Sequence, residues 1–378
     1  MIALDCRLTR EEKLYMNAFI AVMLVFAAIG FLDKTFGLRW GLAESFDRGL
    51  VTMGTMAVPM IGVSCAGVEF IQRNIDTISE ACGWLPFDPS LIIGAAFATD
   101  MGGFFIAEQI AGNEQALILN GIILSALLGQ MTSFQLPLFL ADGSRDSRRD
   151  ILKGFITGVV IIPAGLITAG LMLRMDAGLL AAQILPVLIL CALIALGLLK
   201  FPSLMVRIFE VFARVMQIVI GIAFFVTVLG IFVPAAAYSD MEAVHEAVTI
   251  LFRSAVIISG SLVLSQIILK FFRNRLRRFG RRLGINEVSV ISMIMNFATS
   301  LAILPLISKM DKKGRMLNAA FSVSGAYMLG GQLGFVSSVS EPYTVTVYIV
   351  SKLVCGILSL AIMYKLYDRL EGKDGEID

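Results

Sequence analysis

Apolar runs, each about the length of a lipid-crossing helix, follow one another along nearly the whole chain. A spanning helix needs roughly 20 such residues, because the hydrocarbon core is about 30 Å thick and a helix rises 1.5 Å per residue. Eleven segments approach or meet that length: residues 14–32, 49–68, 88–108, 115–134, 154–173, 177–199, 215–239, 247–269, 288–308, 316–340 and 344–364. Pro59 is expected to kink the second. Polar residues interrupt the third and ninth near their middles. The pattern predicts an all-α membrane protein, a single integral membrane domain over residues 1–378 with about 9–11 transmembrane segments. The stretch before the first run is charged and no small-residue cleavage site follows it, so that run is read as a retained span.

Charge then selects among topologies. If all eleven segments cross with the N-terminus inside, Lys and Arg are poorly biased, 18 in inner loops against 11 in outer ones. If the third and ninth instead dip to mid-membrane and return, and the N-terminus is outside, the bias becomes 24 against 5. The positive-inside rule favours this second arrangement. Arg7, Arg10 and Lys13 sit on its outer side, and Arg253 and Lys352 are left within spans. The same arrangement yields two inverted five-element repeats, residues 14–173 and 215–364, joined by a linking helix at 177–199. A weak internal repeat agrees: Phe97-Ala98-Thr99-Asp100 precedes Phe297-Ala298-Thr299-Ser300 by 200 residues, and Leu127-Leu128-Gly129-Gln130 precedes Leu329-Gly330-Gly331-Gln332 by 202. Inverted repeats are common in secondary transporters. The seven basic residues between Lys270 and Arg282 read as a loop anchored against anionic lipid.

Composition supports lipid as the solvent, with 57% hydrophobic and 16% charged residues. Net charge is only +2, which gives a nucleic-acid partner no electrostatic footprint. The five cysteines, Cys6, Cys65, Cys82, Cys191 and Cys355, are widely spaced and read as small hydrophobes. His245 is the single histidine and falls in an expected outer loop, which removes H-E-x-x-H zinc chemistry and an intramembrane Ser-His pair. No phosphate-binding G-x-x-x-x-G-K-[ST] loop or G-x-S-x-G elbow is present. The expectation is therefore a non-enzyme with no catalytic residues, cofactor or metal site.

Asp100 is the most informative residue. A carboxylate at a span centre costs about 2.5–3.5 kcal/mol on insertion scales, so something must offset it. Gly102 and Gly103 would let the helix unwind and expose carbonyls and amides to a cavity. With Thr99 and the Phe104-Phe105 pair beside it, the carboxylate suits a small ammonium ion, which needs a counter-charge, acceptors and a π face. The alternative is a structural Asp that pairs with Lys352 or Arg253 or caps a half-helix. Asn296, Thr299 and Ser300 lie at the expected tip of the second hairpin and would take a substrate hydroxyl, although polar residues in helices often bond only to neighbouring helices. Gln332, in a glycine-rich tenth segment, and Gln130 are further candidates. Lys352 either snorkels or neutralises Asp100 when the site is empty, and Arg253 snorkels. These residues point to a permease for a small cationic amine, or to an amine-sensing or channel-like protein without coupled transport.

A family resemblance covers most of the chain in one order. Asp100-Met101-Gly102-Gly103-Phe104-Phe105-Ile106-Ala107 resembles the D-M-G-G-F-F-x-A stretch of the ethanolamine utilisation permease family, EutH. Met310-Asp311, Gly314-Arg315, Asn318, Ala320-Phe321, Val323-Ser324, Leu329-Gly330 and Leu333-Gly334-Phe335 fall at the spacing of its C-terminal block, and the Met53-Gly54 to Met60-Ile61-Gly62 stretch resembles its second span. The resemblance implies a multi-pass protein of the cytoplasmic membrane that passes ethanolamine to cytosolic enzymes. Membrane lipid and the small-molecule amine are the expected partners, and sequence leaves open whether the chain forms a homo-oligomer. Thr299-Ser300 stands where the family is expected to carry paired asparagines, and Gly331-Gln332 where Asp-His is expected. Keeping Asp100 without that second carboxylate implies a related amine or a changed coupling mode.

Overall fold

The computed structural model describes residues 18–141 and 145–374; Cys6, Arg7, Arg10 and Lys13 lie outside them. The described chain is built of helices: α1 (Ala18–Phe36), α2 (Ala43–Arg73), α3 (Ile75–Cys82), α4 (Ser90–Ala96), α5 (Gly103–Ile110), α6 (Glu114–Leu140), α7 (Arg145–Met172), α8 (Ala177–Lys200), α9 (Pro202–Phe232), α10 (Met241–Leu283), α11 (Glu287–Ala298), α12 (Lys312–Ser324), α13 (Gly331–Val339) and α14 (Pro342–Asp374). Eight of them, α1, α2, α6, α7, α8, α9, α10 and α14, are long and apolar enough to cross a membrane.

The third and ninth apolar segments turn back on themselves. Between α4 and α5 the chain is extended at Phe97 and Ala98 and makes one 3-10 turn, Thr99–Met101. The two ends of this segment then meet, because the Asp88 carboxylate accepts from Gly112 N–H at 2.8 Å. The second hairpin pairs α11 with the 3-10 stretch Ser300–Lys309. It closes in the same way: the Asn286 amide donates to the Lys309 carbonyl at 2.9 Å, and Asn286 N–H donates to Asp311 Oδ1 at 2.8 Å. The tenth segment is also broken, since α12 ends at Ser324 and α13 starts at Gly331.

Helix ends are set by short polar side chains. Asp176, Asp240, Asn286 and Asp311 each accept from backbone amides at the start of α8, α10, α11 and α12. Two boundaries differ most from the sequence reading. The basic run Lys270–Arg282 is not a loop but the end of α10: the helix continues through Gly280 and ends only at Gly284, which takes a left-handed conformation at φ 70°. The apolar segment begun at residue 215 likewise starts earlier, at Pro202.

Burial ranks the helices. In α6, 83% of the most apolar stretch is buried, whereas in α9 the share is 17%. α6 is thus the central element and α9 a lipid-facing one, with Leu204, Ile208, Val211, Val215 and Ile222 exposed. Around α6 pack the first hairpin, α7 and α14; α10 packs on α1, α2 and α13. At the end holding Arg315, that guanidinium grips the buried Asp150 carboxylate through Nε at 2.9 Å and Nη2 at 2.6 Å. The same end carries Arg275, Arg277, Arg278, Arg281 and Arg282 on α10, so the positive-inside rule makes it cytoplasmic.

Candidate functional site

α4 stops because its next two residues are extended, and the backbone groups freed there find partners on α6. Ser125 donates to the Phe97 carbonyl, Thr132 to the Ala95 carbonyl at 2.7 Å, and Thr99 to the Gly121 carbonyl at 3.0 Å. This satisfies the rule that irregular backbone at membrane depth must be buried in protein or line a cavity. Gly102 lets the chain leave the turn: its φ is 98°, and a Cβ would stand 2.3 Å from Val63 Cγ1. Val63 opens the π-helical turn Val63–Gly67 of α2, so two irregular segments abut.

Asp100 is presented at this tip. Its Oδ1 is buried with no hydrogen-bond partner. Its Oδ2 lies beside Gly331, where a Cβ would come within 3.8 Å, and the carboxylate faces the Gln332 amide with Lys352 as the nearby cation. No ion pair joins Asp100 to Lys352 among the described residues; Gln332 stands between them. Lys352 is fully buried and donates to Gln332 Oε1 at 2.7 Å, the Ala126 carbonyl at 2.9 Å and Gln130 Oε1 at 3.4 Å. Arg253, the other basic residue left within a span, is exposed on α10.

From here an amide chain runs to the second hairpin. Gln332 Nε2 donates to Gln130 Oε1 at 2.8 Å, and Gln130 Nε2 to Gln135 Oε1 at 3.1 Å. Gln135 Nε2 donates to Ser300 Oγ at 2.9 Å, and Ser300 donates to the Tyr327 hydroxyl at 2.7 Å. Tyr348 donates to the Tyr327 carbonyl at 3.0 Å and lies 3.4 Å from Gln332 Oε1. The two hairpin tips are thus connected through α6, and Gln130, Gln332 and Ser300 come together with Asp100 in one buried polar network. Each glutamine presents donor and acceptor at fixed separation, which allows the chain to run unbroken.

The other sequence-derived candidates are placed as follows. Thr99 anchors the first tip and Gly103 follows the turn, its amide bonded to the Ala98 carbonyl at 3.0 Å. Thr299 accepts from Leu301 N–H at 3.3 Å. Asn296 donates to the Asn318 carbonyl at 3.3 Å and leaves its own Oδ1 buried and unpartnered. Phe104 packs edge-on with Phe105 and Phe335, its ring centroid 5.8 and 6.0 Å from theirs. Sequence reasoning missed Gln135, Tyr327 and Tyr348. Gln135 lies five residues after Gln130 on the π-helical stretch of α6, a winding that sequence does not reveal. Tyr327 gave no signal, although its φ of 60° marks it in the structure.

Comparison with known proteins gives a consistent picture. Residues 16–366 match the family described as ethanolamine utilisation protein, EutH. The probable ethanolamine permease EutH of Listeria monocytogenes serotype 1/2a (strain 10403S) is 27% identical over 94% of this chain and 95% of the relative. The probable ethanolamine permease EutH of Salmonella typhimurium is 27% identical over 86% of each chain, and the uncharacterized protein YxeR of Bacillus subtilis is 26% identical over 91% and 93%. No solved structure matches.

Proposed function

Since the chain belongs to the ethanolamine utilisation protein EutH family, it is a multi-pass membrane permease, and we propose that it carries a small cationic amine, ethanolamine or a close relative, whose ammonium binds at Asp100. One observation carries the site. Asp100 sits at a break in a hairpin that is closed at one membrane face, and one of its carboxylate oxygens is buried with no partner. A buried carboxylate oxygen left unsatisfied is costly, and a ligand ammonium with three donors would relieve it. The Gln332 amide and the Ser300–Tyr327 hydroxyl pair offer donors and acceptors for a substrate hydroxyl on the same network. Residues 14–173 and 215–364 are read as inverted repeats about this point, and hairpin closure from opposite ends, with related breaks at Phe97 and Thr299, supports that reading.

The test is uptake of labelled ethanolamine by sealed vesicles holding the purified protein. Asp100→Asn is expected to abolish uptake while the protein still inserts and elutes as a single folded species. Unchanged uptake overturns the assignment. Saturable binding without flux in the unmodified protein would identify a sensor in place of a permease. A panel of ethanolamine, choline, small amino alcohols and amino acids in the same assay fixes the substrate.

A further inference from the structure

Lys352 is buried from both lipid and water, yet its charged neighbour is a carboxylate on the far side of an amide. Its Nζ is instead set among oxygens. The Gln332 and Gln130 side-chain carbonyls and the Ala126 main-chain carbonyl surround it at 2.7–3.4 Å, and the Tyr348 ring lies 5.6 Å away. An ammonium has three N–H donors and this set uses them all. Snorkelling does not describe it, because the head group is as buried as the stem.

The surroundings are those of a small-cation site. Hard cations take oxygen ligands, main-chain and side-chain amide carbonyls among them, with a carboxylate near enough to balance the charge. In transporters such ions are held where helices lose regular α geometry and offer main-chain carbonyls. Here Ala126 belongs to the π-helical stretch Leu117–Gly129 of α6, and Gln332 to the first turn of α13, just after the break between α12 and α13. The one departure is that the cation is tethered, as the end of a side chain on α14.

We propose that the Lys352 ammonium is a built-in counter-ion that fills an oxygen-lined cation position, so that transport proceeds without an alkali cation, and that the incoming amine displaces it from the two glutamine oxygens. The displacement step rests on the reading of Asp100 as the amine site; occupancy of the cation position does not. Asp100 and Lys352 together are neutral. A second ammonium at Asp100 would leave two positive charges about the same amide, and Coulomb repulsion in a medium of low dielectric is strong at such separations. The tethered charge is the one that can withdraw along its own stem, toward Tyr348 and α14. Occupation of Asp100 is thereby coupled to the position of α14 against α6. When the amine departs, Lys352 returns to the oxygens and resets the site.

Two measurements test this. In vesicles of the unmodified protein, uptake of labelled ethanolamine is expected to be equal within twofold in NaCl, KCl and CsCl at fixed ionic strength. A requirement for one of these cations overturns the proposal, and this arm needs no variant. The second arm reads occupancy without transport. Lys352→Met removes the ammonium but keeps most of the side-chain volume, leaving the three oxygens vacant. The purified variant is expected to gain a saturable rise in melting temperature of roughly 3 °C or more with Na+, from ligand-linked stabilisation, that the unmodified protein lacks. If the variant does not survive purification, Lys352→Gln is measured in its place. A folded variant indifferent to Na+, K+ and Li+ overturns the proposal. Failure of ethanolamine uptake by the unmodified protein alongside cation-stabilised Lys352→Met would instead reject the transport reading and leave the cation position standing.

Discussion

Gln332 donates its amide to Gln130 Oε1 at 2.8 Å, a bond that spans 202 residues of sequence and joins α13 to α6. The same Gln332 accepts from Lys352 and faces Asp100, so a single uncharged side chain holds apart the two opposite charges at the centre of the protein. An amide can do this because it offers donor and acceptor together. Placing the network on broken or π-helical segments gives each amide backbone freedom that a regular helix would deny it. π-Helical turns of this kind are frequent at functional sites.

Replacing Gln332 with Leu is expected to damage transport without preventing insertion. The change removes the shortest acceptor of a buried ammonium and leaves Gln130 Oε1 short of a donor. Hydrogen bonds to charged groups contribute about 1.5–3 kcal/mol, which corresponds to a fall of roughly 10–100-fold in uptake efficiency. Initial uptake rates across an ethanolamine concentration series measure it. A rate within twofold of the unmodified protein would show that the network is not coupled to the substrate.

Gly102 is expected to tolerate no side chain. A Cβ there would stand 2.3 Å from Val63 Cγ1, and its φ of 98° is strained for any L residue. Backbone strain of this type costs about 1–3 kcal/mol before the clash is counted. Gly102→Ala should therefore lower the melting temperature in detergent and cut uptake more than tenfold by moving Asp100. Adding Val63→Ala removes the clash but not the strain, so recovery should be partial. Gly54→Ala, where a Cβ meets nothing within 4 Å, is the control and should match the unmodified protein or exceed its stability. Equal behaviour of the two single variants would contradict a rigid tip.

Much of this was legible in the chain because burying polar groups in lipid is expensive. Asp100 in one apolar run, and Asn296 with Thr299-Ser300 in another, could be tolerated only where the helix breaks, and both runs turn back there. The charge bias among loops pointed the same way. The partners of Lys352 were not legible. In a soluble helix the polar face reveals which side meets solvent, but in α14 lipid-facing and core-facing sides are both apolar, so sequence does not fix which way Lys352 points. Gln135 and Tyr327 were hidden for a related reason: π-helical winding in α6 and a positive φ at residue 327 set their directions, and neither follows from residue type. The end of α10 was misjudged because a basic run resembles a loop, whereas Arg is a good helix former and continues a helix unless something stops it.

The opposed hairpins make a topological prediction that is independent of substrate. Ala111 follows α5 at the end where the first hairpin closes, and Lys309 ends the 3-10 stretch at the end where the second closes. If the basic end is cytoplasmic, a cysteine at residue 111 meets the outside and one at 309 the inside. Among the native cysteines, Cys65, Cys191 and Cys355 are buried, so Cys6→Ser with Cys82→Ser gives a quiet background. In that background Ala111→Cys should react with a membrane-impermeant maleimide on intact cells, whereas Lys309→Cys should react only after permeabilisation. Lys309 is exposed and its main-chain carbonyl, not its side chain, accepts from Asn286, so the substitution leaves the hairpin closure intact. Labelling of both positions from one side would mean that the hairpins enter from the same face, and the inverted relation between the two halves would fall with it.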